Sequence, residues 1–146
     1  MDARKMAKGL GWFSIGLGLA EIAAGRQIGR ALGMEHRTGL LGAYGAREIA
    51  TGVGILRSDD PTPWMWGRVA GDGLDLATLA AACTEDNPKR GNVIAAIGSI
   101  VGITALDALV AVQLRREQQA DRAEFESLGR FKNRLGEFSG RMRPDA

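Results

Sequence analysis

The sequence predicts an all-α protein: a four-helix transmembrane bundle with a short surface helix and a basic amphipathic C-terminal helix or tail. Three observations lead there. Apolar stretches recur between short polar clusters, and residues 91–106 contain no charge at all, whereas residues 115–146 are crowded with charges. Glycine accounts for 21 of the 146 residues, most of them inside the apolar stretches. In a soluble helix each glycine costs roughly 1 kcal/mol relative to alanine, but in a membrane bundle small residues let backbones approach closely. Lastly, Glu21, Glu48, Asp75 and Asp107 each lie deep inside one of four apolar stretches, where an ionised group is expensive and is retained for a reason. The chain divides into a four-span bundle over residues 1–114 and a polar amphipathic tail over 115–146.

The first span covers residues 6–24, with Trp12 and Phe13 near its start, at the depth that suits aromatic rings at lipid headgroups. Residues 25–33 follow. Arg26 and Arg30 are four apart, as are Ile28 and Leu32, which gives one basic and one apolar stripe and predicts a short helix lying on the membrane surface. Span two, residues 38–56, stops at the turn-forming cluster of Ser58, Asp59, Asp60 and Pro61. Span three opens at Pro63, where a missing N–H donor costs nothing, and Trp64 and Trp66 serve as interfacial anchors. It ends near Ala82, before a polar loop containing Pro88. The fourth span, residues 92–114, has the cleanest hydropathy and at about 1.5 Å per residue is long enough for a core of about 30 Å. Beyond it, Leu128, Phe131, Leu135 and Phe138 recur at helical spacing among Arg130, Lys132 and Arg134. That pattern suits an anionic membrane surface or a partner helix, with a solvated tail as the plain alternative.

Charge-free runs in the first three spans reach only about 8 to 12 residues, below the usual length for a crossing, so a soluble helical bundle is the competing reading. Orientation follows from the basic residues near span ends. Arg4, Lys5, Lys8, Arg57, Arg115, Arg116, Arg122 and Arg130 on one side outnumber Arg26, Arg30, Arg37, Lys89 and Arg90 on the other. This excess predicts a multi-pass membrane protein with both termini in the cytoplasm.

Seven ionisable residues fall within the spans: Glu21, Arg47, Glu48, Arg68, Asp72, Asp75 and Asp107. A charge at mid-bilayer costs roughly 2.5–3.5 kcal/mol on insertion scales, so these residues are expected to face inward and pair. Arg68, Asp72 and Asp75 share one helical face and predict a polar stripe on span three. Five carboxylates against two arginines leave three acids to be protonated, to hold a hard cation, or, for Glu21 and Asp107, to reach the headgroups. The plain alternative is a salt-bridge network that fixes helix register. Gly67/Gly71 and Gly98/Gly102 are small-xxx-small pairs and are expected to bring helices close. Two segments also match: residues 16–25 mirror residues 43–52, sharing the pattern Gly-x-x-Glu-Ile-Ala-x-Gly.

Several classes of chemistry lack their residues. Cys83 and His36 are each the sole residue of their type, so neither a disulfide framework nor a zinc cluster is predicted. A carboxylate di-iron site would need Glu-x-x-His pairs, which the sequence does not contain. The glycines of residues 45–54 follow no strand and precede no basic anchor, so they make no phosphate loop. Ser14, Thr51, Thr78 and Ser99 have no histidine base and are expected to hydrogen-bond within or between helices. A net charge of +2 gives no nucleic-acid signal. The first apolar run is followed by no convincing cleavage site, so it is read as a span and not as a signal peptide. No cofactor and no resident metal are predicted.

Residues 10–21, 45–56, 66–76 and 104–107 occur in order and together resemble a group of small bacterial membrane proteins often labelled cyclase/dehydrase, some of which carry a START-like domain. The resemblance spans about residues 10–112. It implies a four-helix membrane unit without an established catalytic mechanism. The residue pattern and the resemblance lead to the expectation of a non-catalytic inner-membrane module, an accessory or assembly subunit bound to a protein partner or to further copies of itself. The alternatives are a small proton or cation transporter and a membrane protein that binds a lipid or other hydrophobic ligand through its polar cluster.

Overall fold

Asp2 starts the first helix. Its side chain accepts a hydrogen bond from the Lys5 backbone N–H at 3.1 Å, and that bond holds the Asp2 carboxyl below its ordinary range. The computed structural model describes residues 2–141, without the side chains of Thr38 and residues 135–141. The described residues are all-helical and contain no strand: α1 is Ala3–Leu32, α2 Thr38–Arg57, α3 Thr62–Ala82 and α4 Arg90–Arg141, with a 3₁₀ turn at Glu35–Arg37. They divide into two compact units, one ending at Leu114 and the other beginning at Arg115.

The short helix expected at residues 25–33 is present, set off from the first span by a kink inside α1 where the sequence places the boundary. Its helical turns follow directly on the first span across one non-helical residue, Ala24 (φ −113°, ψ 16°). Gly25 and Gly29 are buried, which ties this segment to the bundle. The helix ends at Gly33, whose φ of 67° places it in the left-handed region that favours glycine. Met34 N–H donates to the Gly29 carbonyl (2.7 Å) and Gly33 N–H to the Arg30 carbonyl (3.3 Å), the paired bonds of a Schellman cap, and the Met34 side chain is buried as that cap prefers. Asn87, from the α3–α4 loop, donates to the carbonyls of Leu32 (3.0 Å) and Ala82 (2.8 Å) and so joins the ends of α1 and α3.

The matching segments of α1 and α2 become one antiparallel interface. A Cβ on Gly18 would collide with the Gly45 carbonyl oxygen, and one on Gly45 would come within 2.6 Å of the Gly18 oxygen. Glu48 and Ile49 lie over Gly18, while Glu21 and Ile22 lie over Gly45. Each repeat therefore covers the glycine of the other. Seven residues away the same contact recurs, where a Cβ on Gly52 would be 2.5 Å from the Gly11 oxygen. Close approach was expected elsewhere, at Gly67, Gly71, Gly98 and Gly102. Nothing lies within 4 Å of a Cβ at Gly67, Gly98 or Gly102, and Gly71 makes room for the Arg47 guanidinium.

Two apolar clusters close the ends of the first unit. At one end Ala3, Ala7, Ile55, Met65, Val110 and Leu114 are buried together; at the other Met34, Leu79 and Val93 pack with Leu32, Ala96 and Ile100. These groupings put α1 and α3 parallel, with α2 and α4 running against them. Charged residues occupy the level between the clusters. Trp12, Trp64 and Trp66 are exposed, although the Trp64 ring also covers Gly54 of α2. In the second unit Phe125, Leu128 and Phe131 are exposed; the side chains of Leu135 and Phe138 lie outside the described residues.

Gly45→Ala should lower the melting temperature of the purified protein, since backbone must shift to admit the methyl group at an overpacking cost of about 1–3 kcal/mol. Gly67→Ala, in open space, should hold or raise it; thermal unfolding followed by circular dichroism compares the two.

Candidate functional site

Each of the four helices delivers polar side chains to the interior between the apolar clusters. Arg68 on α3 is the centre, 1% exposed. Its Nε donates to Asp107 Oδ2 of α4 at 2.9 Å. Its Nη1 donates to the Ser14 hydroxyl of α1 and, at 3.3 Å, to Glu48 Oε2 of α2. Ser14 in turn donates to the same Glu48 oxygen at 2.6 Å. Glu48 and Asp107 are 2% and 0% exposed, so this is a charge cluster removed from solvent, where pairing is obligatory.

Arg47 forms the second centre. Its two terminal nitrogens grip Asp75 in a fork, Nη2 to Oδ2 at 2.8 Å and Nη1 to Oδ1 at 3.2 Å. Nη2 also donates to Glu48 Oε1 (2.9 Å) and Nη1 to the Gly71 carbonyl (3.0 Å). Glu48 thus bridges the two arginines, one oxygen to each. The Arg47 guanidinium lies 5.1 Å from the centroid of the Tyr44 ring, within cation–π range.

The polar stripe expected along α3 is split between these centres. Arg68 pairs with neither Asp72 nor Asp75: Asp75 goes to Arg47, and Asp72 accepts from the Thr104 hydroxyl of α4 at 2.7 Å. Asp107 does not reach outward to headgroups but is fully buried against Arg68, with its Oδ1 lacking a hydrogen-bond partner. Glu21 is the outlier. Its Oε2 is buried without a partner, and among the described residues no arginine lies at ion-pair distance.

Carboxylate oxygens of Glu48, Asp72 and Asp75 lie within 4.8 Å of one another, a spacing that hard divalent cations accept. Arg47 already bonds two of these three groups, so the guanidinium supplies the positive charge that an ion would bring.

Comparison of the chain with protein-family models, with curated proteins and with solved structures finds no match. The chemistry of the site is therefore argued from its geometry. Beside the network lies a cavity of about 260 Å³. Phe13, Leu17, Ile28, Leu32, Leu41, Leu79, Ile100 and Ile103 contribute its apolar walls; Glu21, Tyr44, Arg68, Asp72, Asp75 and Thr78 contribute its polar part. Tyr44 Oη and Thr78 Oγ1 are 2.7 Å apart across it.

Sequence reasoning did not single out Ser14, Tyr44 or Thr104 as members of the cluster. For Ser14 a signal existed. Glycines at 11, 18, 45 and 52 fix an antiparallel register in which residue 14 stands opposite residue 48. Thr104 and Tyr44 carry no such marker, because their partners depend on how α3 and α4 dock.

Replacing Asp107 by Asn or Arg68 by Met should each cost about 3–5 kcal/mol, the usual penalty for stranding one member of a buried pair. The double variant should cost less than the sum, because neither change then strands the other's partner; unfolding of all four proteins in a double-mutant cycle measures the coupling.

Proposed function

We propose that the chain is a multi-pass membrane protein whose four-helix bundle is a non-catalytic binding module for a hydrophobic ligand. The observation that carries this reading is the cavity, apolar on most of its wall and polar at one part. Ligand sites are typically such concavities, in which a few placed polar groups orient an otherwise apolar molecule. Of its polar residues, Arg68 and Asp75 belong to the hydrogen-bonded network, while Asp72 bonds to Thr104 of α4 and Tyr44 of α2 to Thr78 of α3, so all but Glu21 are held in place before a ligand arrives.

Membrane embedding is supported by the distribution of polarity. α4 holds the one segment, among the described residues, long and apolar enough to cross a membrane, and only 17% of that window is buried. The core helix of a soluble protein would hide such a window. Leu19, Ile22, Leu74, Ile94, Val101 and Leu109 are all more than half exposed, while Arg68, Glu48, Asp72 and Asp107 are inside. Lipid as the surrounding solvent accounts for both halves of that pattern. α1, α2 and α3 are 30, 20 and 21 residues long, so each is long enough to accompany α4 across at about 1.5 Å per residue. The antiparallel order sets the start of α1 and the end of the bundle part of α4 on one side, the cytoplasmic side by the excess of basic residues.

The resemblance to proteins labelled cyclase/dehydrase adds no reaction to this reading. Its four blocks do coincide with the network, since they contain Ser14, Arg47, Glu48, Arg68, Asp72, Asp75, Thr104 and Asp107. The accessory-subunit reading rests on a different observation, the open surface at Gly98 and Gly102 of α4, which would admit a partner helix at close range.

With Cys83 replaced by Ser, single cysteines at Asp59 and Glu85 test the topology. An impermeant maleimide added to intact cells should label Glu85→Cys, and Asp59→Cys only after lysis; release of the protein into buffer on cell disruption would refute embedding. Native mass spectrometry of the extracted protein should show a hydrophobic adduct that is lost in Ser99→Trp, because Ser99 of α4 also lines the cavity and an indole there would fill it. No adduct, or one indifferent to that substitution, would count against the ligand.

A further inference from the structure

We propose that the cavity takes a cationic amphiphile, an alkyl or aryl body carrying a protonated or quaternary amine, with the Glu21 carboxylate as the counter-charge for its head. This rests on the hydrophobic-ligand reading above and adds the charge of the head group. The charged residues lining the cavity are Glu21, Asp72 and Asp75 against Arg68 alone. Arg68 is the single cation among them, and its charge is already met by two carboxylates, Nε bonding Asp107 and Nη1 bonding Glu48 along with Ser14. Asp75 is held by Arg47, which leaves Asp72 with a single hydroxyl donor and Glu21 with a buried oxygen that nothing satisfies.

The unpaired oxygen of Glu21 has a structural origin. Glu21 and Glu48 are equivalent in the two repeats, and each lies over the glycine of the other. Glu48 receives the Ser14 hydroxyl. The position equivalent to Ser14 in the second repeat is Leu41, which lines the cavity and donates nothing. One acid of the pair is thereby neutralised from within the bundle, and its counterpart is left facing apolar space. An anionic head entering there would meet three carboxylates. A cationic head would provide the charge that the internal arginines do not, while its tail lies along Leu17, Ile28 and Ile100. Burial of an unpaired acceptor is costly, so filling that position favours the bound state.

The test uses the full chain in nanodiscs of zwitterionic phosphatidylcholine, with empty nanodiscs subtracted. Binding of decyltrimethylammonium and of neutral decanol is measured by titration calorimetry. Glu21→Gln should weaken the cation about tenfold or more and leave decanol nearly unchanged. Decyl sulfate, with the same tail and an anionic head, should bind the wild-type protein at least about tenfold more weakly than decyltrimethylammonium, a comparison that needs no substitution and covers the case in which Glu21→Gln fails to fold. Equal binding of the cation with decanol or with decyl sulfate, or a substitution that moves the cation and decanol alike, would overturn the cationic head but leave the hydrophobic-ligand reading intact. Failure of the wild-type protein to bind either the cation or decanol would overturn both.

Discussion

Arg68 is a permanent charge on the buried face of α3, and a guanidinium in a protein does not escape burial by losing its proton. It has to be met by acceptors. Those acceptors come from the three other helices: the Leu10 carbonyl and Ser14 on α1, Glu48 on α2 and Asp107 on α4. Such an arrangement fixes rotation and register together, because sliding any helix by one turn strands a charge. Apolar clusters at the two ends tolerate small shifts; this centre does not. A salt-bridge network that fixes register was one alternative for the interior acids, and Arg68 has the geometry for that part. The network does not satisfy every acid, however. The remainder, Glu21 and Asp72, is found where the cavity begins.

The α1–α2 pair explains how this is reached without symmetry being complete. Two copies of one short pattern pack against each other through their glycines, and each Glu-Ile pair roofs the opposite helix. If the flanking residues were also equivalent, both glutamates would have the same surroundings. They are not: Ser14 and Leu41 differ, and α3 approaches with Arg68 on the Ser14 side. A duplicated packing unit has thus acquired one structural acid and one acid bordering open volume.

Helix count and approximate bounds were legible in the sequence, because apolar stretches separated by Ser58–Pro61 and by Pro88 leave little choice of boundary. So was the inward gathering of Arg47, Glu48, Arg68, Asp72, Asp75 and Asp107, which follows from the cost of leaving such groups in apolar surroundings. Pairing was not legible. A helical wheel placed Arg68 beside Asp72 and Asp75, but a wheel describes one helix, and at this density of polar groups the partners are set by the neighbouring helices. The glycine expectation failed for a related reason. A small-xxx-small spacing marks a face that permits close approach, and only docking decides which such faces are used; α1 and α2 use theirs at a seven-residue spacing, while Gly98 and Gly102 stay open. For residues 25–33 the helix and its start after Ala24 were legible but its surroundings were not, because amphipathic spacing cannot tell a lipid surface from a cavity wall: Ile28 and Leu32 face the latter.

The way polarity is distributed also bears on what the cavity can do in the proposed membrane setting. A bundle immersed in lipid gains little from hiding apolar side chains, since hydrocarbon outside is as accommodating as hydrocarbon inside. Its cohesion then depends on backbone proximity, supplied by Gly11, Gly18, Gly45 and Gly52, and on hydrogen bonds among groups that lipid cannot solvate. Both are concentrated in α1, α2 and the Arg68 level. The wall formed by Leu32, Ala96 and Ile100 has no buried charge: its side chains meet by apolar contact, and the hydrogen bonds near it lie at its outer end, from Asn87 to the Leu32 carbonyl and from Asn92 to the Ala31 carbonyl. That wall is accordingly the part able to yield when an apolar body enters, while the charged level opposite remains fixed and sets the orientation of what is bound.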